Sequence, residues 1–190
     1  MPTLIDRNGP IADGWTWFQA DGEATPGSAA GATSRRLILS LAQWPLHADA
    51  LAAAGANLGI CLEPADEPGA IVPLFDRIEL VAVRFPAFTD GRGYSTARLL
   101  RQRHGWQGEL RAVGDVLRDQ MFYLARCGFD TFDLKDGESV ADALRGFGDF
   151  SEVYQAAADR GPLFRRRPPA PATAADLAGR EQTHLPQARW

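Results

Sequence analysis

Between residues 80 and 134 the chain alternates apolar and polar segments in the order strand, turn, helix, strand, turn, helix, strand, and no other stretch restricts its fold as tightly. Residues 80–85, 109–113 and 131–134 read as short strands, and the apolar run at 37–41 suits a strand buried on both faces. The spacing predicts helices over 96–104 and 116–127. Strands alternating with helices of this length form βαβ units, which require a parallel sheet and right-handed crossovers. In such a sheet the two turns after the strands at 80–85 and 109–113 open on the same rim, and they carry most of the unusual polar residues.

The pattern extends upstream. Residues 37–41 and 57–62 are further strand candidates, joined by a helix over 46–54 that Pro45 opens and Gly55 stops. A short helix is expected at 71–75, and others near 139–145 and 151–158. The fold class is therefore α/β, with about five mostly parallel strands and flanking helices. Five strands cannot close an eight-stranded barrel; an open doubly wound sheet is expected first, with a half-barrel, or one completed by a second subunit, as the alternative. Three units are expected: an N-terminal β-hairpin and connector (1–33), the α/β domain (34–160) and a flexible Arg/Pro-rich tail (161–190). Asn8-Gly9 is the hairpin signal, between short strands at 4–9 and 15–18. The tail reads as solvated chain, or else as a docking segment anchored by its arginines and Trp190.

Composition excludes several function classes. With 45% hydrophobic and 23% charged residues over 190 positions, the chain can bury a core of ordinary size. A net charge of −4 argues against broad electrostatic attraction to nucleic acid or an anionic membrane. Lys135 is the one lysine among 20 basic residues, a bias typical of GC-rich coding, although arginine also offers a planar fork to oxyanions. Cys61 and Cys127 cannot form a C-x-x-C pair, a finger or a cluster site, and the histidines have no ligand-spaced companions, so no metal site is expected. The first residues lack a basic and then apolar leader, and no apolar stretch is long enough for a bilayer. A cytoplasmic protein with reduced thiols is expected.

Asp90-Gly91-Arg92-Gly93-Tyr94-Ser95 follows one strand and precedes a helix. Its glycines permit positive φ and a nest of N–H groups, Ser95 is placed to cap the helix, and Arg92 adds a fork, the combination wanted by phosphate, sulfate or a carboxylate. The opposing expectation is a tight turn whose Asp90 and Arg92 pair with neighbours. The second turn spans Arg111 to Gln120. There Asp115 fits an N-cap, and Arg118, which opposes the helix dipole, needs a partner such as Asp115, Asp119 or Asp90. Arg98, Arg101 and Arg103 are expected on a wet helix face, and Leu117, Met121, Leu124 and Ala125 on a core stripe. Cys127 lies at a helix end that disfavours a thiolate, and Cys61 reads as a core residue. Glu63 and Asp133 are acid–base candidates by position alone, near the C-terminal ends of strands.

The stretches Asp90-Gly-Arg-Gly-Tyr-Ser95 and Gly114-Asp-Val-Leu-Arg-Asp-Gln120, with Phe85-Pro-Ala-Phe before the first and Cys127-Gly-Phe-Asp130 after the second, resemble the bacterial domain of unknown function 934 family over roughly residues 35–157. The resemblance implies a gene encoded beside assimilatory sulfite or nitrite reductase and sulfate-assimilation genes, and a protein often labelled an oxidoreductase of sulfite reduction. It assigns no catalytic residue. The sequence itself carries no nucleotide fingerprint, cluster ligand set or haem motif, although an open parallel sheet can host a flavin or nucleotide.

Two functions are expected to compete. One is an accessory protein of sulfite/sulfate reduction, binding a small oxyanion, the reductase or its electron donor through the rim of Asp90, Gly91, Arg92, Gly93, Tyr94, Ser95, Arg111, Asp115, Arg118 and Asp119. The other is an enzyme acting on a small anionic substrate at the same rim. Homo-oligomerisation is compatible with either; nucleic acid and membrane are not expected partners.

Overall fold

Six of seven strands run parallel in one sheet, and they lie in the sheet in the order in which the chain makes them. The computed structural model describes residues 3–19 and 35–150; the expected connector, the helix at 151–158 and the tail fall outside these. The strands are β1 (Thr3–Ile5), β2 (Trp15–Trp17), β3 (Arg36–Ser40), β4 (Asn57–Leu62), β5 (Leu80–Phe85), β6 (Glu109–Gly114) and β7 (Thr131–Leu134), arranged β1-β7-β6-β5-β4-β3-β2. Only β1 is antiparallel, against β7. A doubly wound sheet needs a point where strand order reverses. From β2 to β7 there is none, so right-handed crossovers place the connections from β3 to β7 on one face and the sheet curls into a half-barrel, the alternative reading of the sequence.

The helices are α1 (Trp44–Ala53), with a proline in its first turn, α2 (Arg92–Arg98), α3 (Met121–Cys127) and α4 (Val140–Gly146), whose N-cap Ser139 accepts from the Asp142 amide. Residues Pro68–Arg77 form 3-10 turns, a 3-10 turn (Arg118–Gln120) precedes α3, and a π-helical turn (Leu99–Arg103) extends α2. Gly128 ends α3 in the left-handed conformation at φ 103°, as a C-terminal glycine should. No helix among the described residues is long and apolar enough to cross a membrane.

Strand alternation sorts the apolar residues. Ile60, Leu62, Val81, Val83, Phe85, Leu110, Ala112, Phe132 and Leu134 face the helices and form the main core with Leu100, Met121 and Leu124. Ile38, Cys61, Leu80, Ala82 and Val113 form a smaller cluster on the concave face beneath Trp15. Gly59 makes that possible, since a Cβ there would lie 3.1 Å from the Trp15 ring.

The first two strands depart from a simple hairpin. Asn8-Gly9 does turn the chain, bringing Ile5 opposite Pro10, but β2 pairs with β3 at the far edge. Residues 6–14 must therefore strap the open face. On the way Asp13 meets Arg111 of β6 at 2.9 Å. The expected five strands become seven because both N-terminal strands join the main sheet.

Candidate functional site

The two expected corners are neighbours. Phe85 of β5 stands beside Gly114 of β6, and the chains leaving them are tied by Asp115 N–H to Phe85 O (2.7 Å) and Phe88 N–H to Asp115 Oδ2 (3.0 Å). Gly114 has φ 101°, and a Cβ on it would lie 2.4 Å from Phe85 O, so only glycine fits where the strands part.

Within these corners the polar groups are paired locally. Arg92 binds Asp90 through Nε (3.0 Å) and Nη2 (2.6 Å), which holds the Asp90 carboxyl below the usual range. Gly91 has φ −84° and neither Gly91 nor Gly93 takes a positive φ, so the expected glycine nest is not formed. Gly93 serves packing instead: a Cβ would lie 2.6 Å from Phe85 Cζ. Ser95 sits inside α2, which starts at Arg92, and so does not cap it. Tyr94 lies half-buried between the rings of Phe85 and Tyr123, with burial pushing its phenol up.

The second corner follows the same pattern. Asp115 is not an N-cap; its carboxylate binds Lys135 Nζ at 2.5 Å, which lowers its pKa. Arg118 pairs with Asp149 at 2.6 Å, outside its expected partners, and Asp119 is exposed. Arg101 leaves the expected wet face: 15% exposed, it donates to the carbonyls of Trp106, Gly108 and Gly128 and to Asp130.

Arg111 is not on the rim. Leu110 and Ala112 point to the helices, so Arg111 points into the half-barrel, 4% exposed. It donates to Asp13 Oδ1 (2.9 Å) and, through Nε and Nη2, to Glu109 Oε1, which also accepts from Thr131 Oγ1 (2.7 Å). The strap is thus anchored by an ionic cluster built round the buried Arg111, with Asp13 and Glu109 partly exposed.

Above that cluster, at the C-terminal ends of the strands, lies a cleft of ≈ 500 Å³ whose walls include Trp17, Arg84, Val113, Gly114, Asp133 and Lys135. This is the edge at which βα-barrel folds gather their chemistry. Arg84 of β5 lies over the Trp17 ring (5.1 Å) and binds Glu63 Oε1 through Nε (2.7 Å). Across the cleft Asp133 of β7 has no hydrogen bond or ion pair among the described residues. Burial pushes its pKa up; Asp13 and Asp136 push the same way, and Arg111 opposes them without prevailing. Cys61 lies on the same face, but burial pushes its thiol up to about 12, which leaves it protonated and inert at neutral pH.

Position at strand ends picked out Glu63 and Asp133 from the sequence. Arg84 and Trp17 were missed. The signal for Arg84 was present, a single charge in the otherwise apolar run of residues 80–85.

A model of the family described as "Bacterial protein of unknown function (DUF934)" matches residues 59–164, more than half of the chain. The chain belongs to this family. No curated protein matches it. The DUF934 match takes in β4 to α4 and so contains Glu63, Arg84, Asp133 and Lys135, whereas Trp17 and the strap precede it. This DUF934 cleft thus gathers the Arg84 guanidinium and the Lys135 ammonium, each paired with a carboxylate (Glu63 and Asp115), with the carboxyls of Asp133 and Asp136 and the Trp17 indole.

Proposed function

We propose that this DUF934 protein is an accessory of assimilatory sulfite/sulfate reduction that binds a small oxyanion on the C-terminal edge of its half-barrel. The observation that carries the binding is the pair of cations, Arg84 and Lys135, on the walls of one ≈ 500 Å³ cleft next to the two βα corners. The link to sulfite reduction is supported by the gene neighbourhood that the family resemblance implies. Calorimetric titration with sulfite and sulfate tests the first part, and affinity capture from the native host the second. Expected are binding that Arg84→Met weakens about tenfold or more, and recovery of the reductase or its electron donor. Absence of binding, together with recovery of neither protein, overturns the proposal.

One observation favours a second function, an enzyme acting on a small anionic substrate at the same edge. Asp133 lines that cleft with no hydrogen bond or ion pair among the described residues, and burial raises its pKa, the direction a general acid needs. Rescue of a deletion strain by Arg84→Met and Asp133→Asn as fully as by the native protein eliminates it.

A further inference from the structure

Two groups of opposite character face the cleft from different strands. Arg84, from β5, is held by Glu63 and backed by the Trp17 ring, so its fork is fixed in place. Asp133, from β7, makes no hydrogen bond or ion pair among the described residues, although it lines the same space. An ionised carboxylate there would repel any anion that Arg84 attracts. A neutral carboxyl would instead offer an O–H donor to it.

We propose that the cleft takes a small, fully ionised oxyanion between Arg84 and Asp133, with Asp133 engaged as the neutral acid and donating a hydrogen bond to a ligand oxygen. The inference rests on the oxyanion function proposed above and adds to it a selecting residue and a proton taken up with the ligand. Its surroundings agree. Burial disfavours a charge on Asp133 most, Arg111 of β6 favours one, and Asp13 from the strap and Asp136, which also lines the cleft, add to the effect of burial. Lys135 shares the cleft but is engaged by Asp115. β1, the other strand beside β7, contributes only Thr3, Leu4 and Ile5 and no charge. Binding a second negative charge beside Asp133 raises its proton affinity further, so ligand and proton enter together.

The probe is sulfate, which does not titrate near neutrality, used with the full chain between about pH 5 and pH 8. For the native protein, affinity is expected to fall roughly tenfold per pH unit above the Asp133 pKa, with about one proton taken up per sulfate when titrations are repeated in buffers of different ionisation enthalpy. Asp133→Asn keeps a donor and cannot titrate; it should bind sulfate with a flat pH profile and no proton uptake. Asp133→Ala should bind weakly throughout.

An Asp133→Asn protein that retains the native pH dependence and proton uptake overturns the inference. If Arg84→Met still weakens binding in that case, the oxyanion function survives. Absence of sulfate binding by the native protein at every pH overturns the inference, and the function proposed above falls with it only if sulfite also fails to bind and neither the reductase nor its donor is recovered.

Discussion

Asp133 also bears on stability. Its folded pKa lies above the ordinary value of 3.8, so folding favours its protonated form. The stability it lends is therefore present below that value and is lost as pH rises through the folded pKa. Asp133→Asn should raise the melting temperature at neutral pH and change it little near pH 3, read by thermal melts across that range. Asp115 has the opposite sign. Its pKa is lowered, by Lys135 first, so its contribution is present above 3.8 and lost as pH falls through the lowered value. Gly114 is more sensitive than either. A Cβ at φ 101° would also strike Phe85 O, so Gly114→Ala should cost about 2–4 kcal/mol in denaturant unfolding.

At the level of elements, Arg101 decides how the π turn after α2 meets the loops before β6 and β7. It satisfies three backbone carbonyls and Asp130 from one guanidinium. Arg101→Lys cannot reproduce that fork and should cost about 2–4 kcal/mol, measured by urea unfolding. Its part was hidden in the sequence, because a helical arginine flanked by Arg98 and Arg103 has the spacing of a solvated face. The central strands were legible for the opposite reason. Residues 57–62 and 80–85 are apolar on both sides of the pleat but for Asn57 and Arg84, residues 131–134 alternate, and the expected bounds coincide with β4, β5 and β7. Helix starts were less legible. Ser95 and Asp115 have good capping chemistry, yet α2 begins three residues earlier and Asp115 is drawn to Lys135, a partner 20 residues away. Arg111 was placed on the rim through its nearness to Gly114, whereas the period of two from Leu110 already assigns it to the concave face.

For the whole molecule, the strap and both outer strands are what local pattern could not supply. Nothing in Trp15-Thr-Trp17 says which edge of a sheet it joins, and Asn8-Gly9 favours a hairpin with whatever follows. The edge was chosen by burial: Trp15 fills the space over Gly59, and Asp13 meets Arg111. Asp13→Ala would leave Arg111 with Glu109 as its one ion-pair partner among the described residues. A loss of about 1–3 kcal/mol is expected on denaturant unfolding, with faster amide exchange in β2.

Because β1 pairs with β7, residues 3–5 find their places only against residues 132–134. Beyond the local turn that sets Ile5 opposite Pro10, residues 3–5 have no strand partner until β7 has been made. The slow step in refolding should therefore be the return of residues 3–5 to a sheet already built through β7.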